Sequence, residues 1–322
     1  MKRILIGLIV ILPCVVYSSD DASFLIVTPG GRAAGLSSAF MAISDDIYAS
    51  YYNDAGLGFQ NGLSFGGTGG WCPYSLIFDG EERYDFWGVS FPLTIIGGRI
   101  GISAIYNHKD GGTDISHKLS YGRRIGRDLS IGLGVRLLSI SPMFPMWDIR
   151  MDNYYSAVDI SMLYRKENLS IGCAIQNIGP SITYSYTLFE DTTFEGRFEA
   201  PLPSLLRMGL GYKSPNLGDH SILGTADIVR NFTESINDEN FFYFSLGIEY
   251  SYKDFLFLRG GCLLDINKNT ERTGFSYGIG IKLEEGFYID LGVEPEYPLQ
   301  TNRVKLSFRG QYPPNSWTHT KR

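Results

Sequence analysis

The sequence predicts an all-β protein: a transmembrane antiparallel β-barrel of about 14 strands with a short N-terminal helical hatch or plug. Three observations carry this. From Asn61 onward, apolar residues alternate with small or polar ones, which is the period of a strand. Most of the alternating runs span about 9–13 residues, whereas globular strands peak near about 5–6 and strands that cross a bilayer at a tilt need about 9–11. The connections alternate between short turns and long loops, as in outer-membrane barrels.

Fourteen runs fit this pattern: 61–71, 83–92, 97–107, 113–125, 128–140, 153–165, 168–178, 203–214, 219–230, 240–252, 254–265, 273–283, 286–294 and 302–312. In one of them Leu129, Ile131, Leu133, Val135 and Leu137 alternate with Ser130, Gly132, Gly134 and Arg136. Such a strand has one face for lipid and one for a polar or tightly packed interior. Hydrocarbon forces the closure, because each backbone N–H and C=O must find its partner within the protein and only a closed sheet has no edge. A soluble sandwich or propeller would need an apolar interior and shorter strands, and no fixed 20–50-residue repeat is present.

The first residues read as a signal peptide, 1–18: a basic Lys2-Arg3 start, an apolar run from Ile4 to Val16, and Ser18 at the cleavage site. Pro13 stands before Cys14 where a lipoprotein needs a small residue. The rest divides into a hatch segment at 19–60, the barrel at 61–312 and a polar tail at 313–322. Removing Lys2 and Arg3 leaves 26 basic against 34 acidic residues, a net charge of −8 with no basic patch for nucleic acid. The cysteines left after cleavage, Cys72, Cys173 and Cys262, are odd in number and scattered, so they form no disulfide framework. With 38 glycines, 21 tyrosines, 20 phenylalanines and only 19% charged residues, the surface is not simply watery.

The segment from Ala33 to Phe59 is the exception to the strand pattern. Leu36, Ala39, Phe40, Ile43 and Ile47 share one helical face. Ser44, Asp45 or Asp46 offers a cap for a second short turn through Tyr51. Asn53, Asp54 and Gly56 then break it. A unit this small fits inside a lumen or against its rim.

Catalytic and metal signals are weak. His108, His117, His220 and His319 have no ligand spacing, and no nucleophile elbow or phosphate-binding glycine loop is present. Asp265, Asn267 and Asn269 imitate the start of a calcium loop, but Thr270 and Ser276 occupy its glycine and glutamate positions. Neither enzymatic activity nor a metal or cofactor is expected. Arg136, Arg207, Asp227, Glu249, Lys282 and Asp290 fall at inward positions, either as a salt-bridged filling or as a polar lining for a solute. In the loop SPMFPMW, Met143, Phe144, Met146 and Trp147 suit adaptable contact with a partner as well as loop-tip packing.

Arg32, Ala39, Ala42, Asp45-Asp46, Ala49 and Asn53-Asp54-Ala55-Gly56-Leu57 resemble the N-terminal signature of the PorV/PorQ family, which is related to the FadL fatty-acid transporters. IQNIGP (Ile175–Pro180), LPSLLRMGLGY (Leu202–Tyr212) and FLRGG (Phe257–Gly261) resemble later pieces of the same pattern. The resemblance implies a non-enzymatic bacterial outer-membrane protein serving type IX-like secretion, with secreted cargo or other secretion components as partners beside the membrane lipid. Its alternative is FadL-like transport of long-chain fatty acids or other hydrophobic molecules. It also implies a hatch and ligand route at Arg32, Asp45, Asp46, Asn53, Asp54, Ala55 and Gly56. Two departures stand out: Asp54 replaces the family proline, and Ser37 replaces a glycine.

Overall fold

The computed structural model describes residues 23–71, 83–109, 112–141, 148–151, 154–188, 194–215, 217–233, 241–266, 273–284, 286–296 and 301–312. The signal segment, the polar tail, Met143, Phe144, Met146 and Trp147, and residues 267–272 of the calcium-like loop lie outside the described residues.

The strands are β1 (Leu63–Trp71), β2 (Arg83–Pro92), β3 (Arg99–Lys109), β4 (Gly112–Ile125), β5 (Leu129–Ser139), β6 (Asp148–Met151), β7 (Tyr155–Lys166), β8 (Leu169–Ile178), β9 (Ile182–Leu188), β10 (Phe194–Ala200), β11 (Leu205–Lys213), β12 (His220–Asn231), β13 (Phe242–Tyr252), β14 (Leu256–Asp265), β15 (Gly274–Glu284), β16 (Phe287–Glu296) and β17 (Thr301–Tyr312). Fourteen of them close into an antiparallel barrel in the order β1-β17-β16-β15-β14-β13-β12-β11-β8-β7-β5-β4-β3-β2. β1 pairs with β17 from Leu63↔Tyr312 to Trp71↔Val304, which leaves no edge. The other three, β6, β9 and β10, form a small separate sheet in two of the long connections, which the sequence reads as plain loop.

Alternation sets which way each side chain points. On β5, Ile131, Leu133, Val135 and Leu137 are exposed on the outer face, while Ser130 and Arg136 are buried inside. Cys173 and Cys262 are free thiols on separate strands, β8 and β14.

Residues 23–60 lie inside the barrel. They form two short helices, α1 (Gly31–Gly35) and α2 (Ala49–Tyr52), with 3-10 turns at Ser23–Leu25 and Asp54–Phe59. The predicted helical face from Leu36 to Ile47 does not form; that stretch is a string of turns. Ser37 and Ser38 leave the helix with φ of 52° and 64°. The segment is enclosed on all sides, so its apolar residues need not share a face. Leu36 packs against the wall at Gly247 and Gly261, and Ile47 against Gly66 and Gly88. The second helix has Tyr48 at its N-cap position and no side-chain cap; Asp46 Oδ1 instead accepts the Tyr48 N–H at 3.0 Å in the turn that leads into it.

The glycines on the inner face let hatch backbone touch wall backbone. A Cβ on Gly172 would sit 2.5 Å from the Met41 carbonyl oxygen, and one on Gly132 would overlap the Ala55 amide.

Leu133→Arg places a charge on the lipid face at mid-strand and is expected to cost about 2–4 kcal/mol. Urea midpoints of the barrel refolded in vesicles measure this. An unchanged midpoint would mean that the outer face of β5 does not meet hydrocarbon.

Candidate functional site

The site is the plugged lumen. Nearly every side chain from Phe24 to Leu57 is buried, and the wall holds the segment by hydrogen bonds to its backbone. Asp227 on β12 accepts the Phe40 and Met41 N–H groups through one oxygen, both at 2.8 Å. The Ser307 hydroxyl accepts the Gly31 N–H at 2.8 Å, and the Ser161 hydroxyl accepts the Ala55 N–H at 3.0 Å. Tyr48 donates to the Gly67 carbonyl at 2.8 Å.

The IQNIGP stretch forms the clamp on α2. The β7–β8 register shifts between Val158 and Ile160, and Asn177 adopts a φ of 60°. This bulge buries both Gln176 and Asn177. Gln176 Nε2 donates to the Tyr51 and Tyr52 carbonyls at 2.7 and 3.2 Å, at the C-terminal end of α2. Asn177 N–H donates to Asp159 at 2.7 Å.

Two charge networks join hatch to wall. The first is a ring of six alternating charges. Arg32 meets Glu249 at 2.9 Å, Glu249 meets Arg259 at 2.7 Å, and Arg259 meets Asp290 at 2.7 Å. Asp290 meets Arg309 at 3.1 Å, and Asp46 closes the ring at 3.5 Å to Arg309 and 3.6 Å to Arg32. Asp45 adds a 2.6 Å pair to Arg32 from outside the ring. The second network is smaller: Lys118 sits between Asp54 at 2.9 Å and Asp159 at 2.5 Å, and Asp159 also pairs with Arg136 at 2.8 Å. The Asn53 side chain accepts the Ala55 N–H and donates to the Met41 and Met162 carbonyls. Gly56 has no room for a Cβ beside the Ser44 carbonyl.

The structure thus brings the inward Arg136, Arg207, Asp227, Glu249 and Asp290 into the buried lumen. Lys282 is different: it pairs with Asp254 at 2.8 Å at the short-turn rim. There it lines a cavity of about 920 Å³ together with Arg165, Asp45, Asp46 and Arg309. Short turns face the periplasm in outer-membrane barrels. Sequence reasoning missed Lys118, Asp159, Arg259 and Arg309. Each was signalled by a charge at the inward step of an apolar alternation.

The two ends of the lumen differ. Below the hatch the cavity is lined by charges of both signs. Above it, Leu138, Ile140, Tyr155, Ile182 and Leu202 join Phe24 and Leu25 in one buried apolar cluster.

Lys118→Met leaves Asp54 buried without its cation and is expected to cost about 3–5 kcal/mol. Adding Asp54→Asn is expected to recover more than half of that. A double-mutant cycle on the refolding midpoint measures the coupling, and strictly additive losses would remove the pair as an anchor. Asp46 supplies a pH test. Burial, with Asp45 beside it, pushes its carboxyl up to about 6 against the pull of Arg309 and Arg32. A carboxyl raised in the folded state from about 3.9 contributes stability that is full below about pH 4 and lost as pH rises through about 6. The unfolding midpoint is therefore expected to fall from pH 4 to 7 more steeply in the wild type than in Asp46→Asn, and equal slopes would contradict the assignment.

No protein-family model matches the chain, and no curated protein matches it. Solved structures do. The CymD monoaromatic hydrocarbon channel superposes with a TM-score of 0.61 at 13% identity, over 89% of this chain and 98% of that one. The toluene transporter TbuX of Ralstonia pickettii gives 0.53 at 12% identity, over 82% and 93%. The toluene transporter TodX of P. putida gives 0.51 at 10% identity, over 82% and 94%. At these identities the likeness concerns the fold: the chain has the barrel architecture of outer-membrane hydrocarbon channels.

Proposed function

We propose that this protein is a gated outer-membrane channel for hydrophobic small molecules, exported by its N-terminal signal and closed by residues 23–60. The observation that carries the reading is the apolar cluster above the hatch. Channels for polar solutes keep a polar, water-filled interior, whereas Leu138, Ile140, Tyr155 and Leu202 face inward here. An apolar solute leaving water is stabilised against such side chains. The similar structures are named as hydrocarbon channels and toluene transporters, which favours transport over secretion. The secretion reading rests on the PorV/PorQ resemblance, and its candidate contacts Met143, Phe144, Met146 and Trp147 lie outside the described residues. Near Asn53 the β5–β7 ladder is continuous and the β7–β8 ladder is paired from Ile160↔Ile175 to Lys166↔Leu169, with the bulge between Val158 and Ile160 just beyond it. Arg32, Asp45, Asp46, Asn53, Asp54, Ala55 and Gly56 then act as the gate's fastenings.

Expression in a bacterial host stripped of its own hydrophobic-solute channels is expected to raise initial uptake of radiolabelled toluene or oleate several-fold. Heat-modifiable gel migration verifies assembly. Uptake at the level of an empty vector from a correctly assembled barrel would refute the reading. Loss of surface proteins on deletion in the native host would point to secretion instead.

A further inference from the structure

Neither charge network includes Arg207. Arg207 on β11 is 1% exposed, yet all three of its guanidinium nitrogens lack a hydrogen-bond partner. None of the ion pairs described above includes it. Its guanidinium lies 5.8 Å from the centroid of the Tyr51 ring and 5.8 Å from that of Tyr52. Other polar atoms on neighbouring strands are also unpartnered: Asp227 Oδ1 and Thr225 Oγ1 on β12, and Ser245 Oγ on β13. Toward the long-loop rim, Leu205, Val229, Phe241 and Tyr243 form a second buried apolar cluster, with Ile26 of the hatch packed on it.

A buried guanidinium with unmade hydrogen bonds destabilises the fold that carries it. Every other inward cation of the two networks has a carboxylate partner. Arg207 also sits on the stretch of wall between the two networks, where the Asp227 carboxylate holds the hatch backbone. Asp227 directs one carboxylate oxygen at the Phe40 and Met41 N–H groups, so its charge is already engaged by the hatch.

We propose that Arg207 anchors a binding site for aromatic carboxylates. The carboxylate lies on the guanidinium fork, whose geometry it matches. The ring lies among Tyr51, Tyr52, Phe241 and Tyr243, which offer flat apolar faces, in space now taken by Ile26. The proposal rests on the channel reading above and narrows it: the preferred solute carries an acid, which a neutral hydrocarbon lacks.

The test uses the full chain in nanodiscs at pH 8, with radiolabelled 4-methylbenzoate and p-xylene as a shape-matched pair. The wild type is expected to bind the acid at least about tenfold more tightly, because a site built around a polar group rejects analogues without it. Arg207→Met is expected to abolish that preference, and Arg207→Lys to keep part of it. The thermal midpoint of Arg207→Met is expected to hold or rise, whereas a purely structural arginine would lower it and leave the preference intact. Equal binding of the two probes by the wild type, or an unchanged preference in Arg207→Met, would overturn the site. Uptake of the same probes by cells separates the two readings. Selective binding without uptake removes the channel and keeps the site; uptake of both probes alike keeps the channel and removes the site.

Discussion

Hydrocarbon offers no hydrogen-bond partner, so the strands must satisfy one another around a closed ring. That ring is what everything else in the molecule answers to. Fourteen strands enclose more space than their own inward side chains fill, since about eight already suffice for a packed interior. The N-terminal segment takes up the excess. It does so as backbone laid against backbone, which is why the inner face is rich in glycine rather than in large apolar residues. Gly132 and Gly172 show the requirement most directly, because any side chain there meets the hatch main chain. A composition that first suggests a loosely packed wall is in fact the condition for a tightly filled one.

Filling a lumen with polar backbone brings its own demand, that buried polar groups be paired. The two charge networks meet it from opposite sides. The ring of six spans β13, β14, β16 and β17, and the Asp54 group spans β4, β5 and β7, so that their centres lie half a circumference apart in the strand order. Buried ion pairs contribute little net stability, but they are costly to break singly. Two such groups facing each other therefore fix where the hatch sits more than how strongly the barrel holds. The departures from the PorV/PorQ pattern fit this view. Asp54 gives up the fixed φ of proline at the start of the 3-10 turn and supplies an ion pair to Lys118 instead. Ser37 occupies left-handed backbone that favours glycine, and its hydroxyl is hydrogen-bonded to Ser276 at 2.6 Å.

The strands were legible in the sequence because hydrocarbon on one side and hatch on the other impose strict alternation. All fourteen barrel runs correspond to observed strands, with ends that shift by a few residues. The hatch was less legible for the same physical reason. Helical spacing is informative only where one face is solvated, and Leu36, Phe40 and Ile47 are buried whichever way they point. Inward charges such as Arg136 and Asp290 could be read from alternation, but their partners could not. Arg259 and Asp290 are 31 residues apart in sequence and lie on β14 and β16, and pairing of both strands with β15 brings them to 2.7 Å. The Gln176–Asn177 bulge was visible as a motif without its purpose, since a register shift leaves no mark in composition.

In the proposed channel, opening does not require expelling the whole hatch. Its fastenings are uneven around the circumference: charged networks on two facing walls, and on β11 and β12 between them the Asp227 contacts to Phe40 and Met41 and the looser approach of Arg207 to the Tyr51 and Tyr52 rings. The second apolar cluster lies above that stretch, where Ile26 packs on Leu205, Val229, Phe241 and Tyr243. Apolar contacts are non-directional and can be exchanged for contacts with a solute of similar surface, whereas breaking one member of a buried ion pair strands the other. A solute arriving from the long-loop side therefore meets the replaceable contacts first and the costly ones last. The order of the contacts favours local yielding of residues near Ile26 along the β11–β12 wall while the two opposed networks keep the rest of the plug in register.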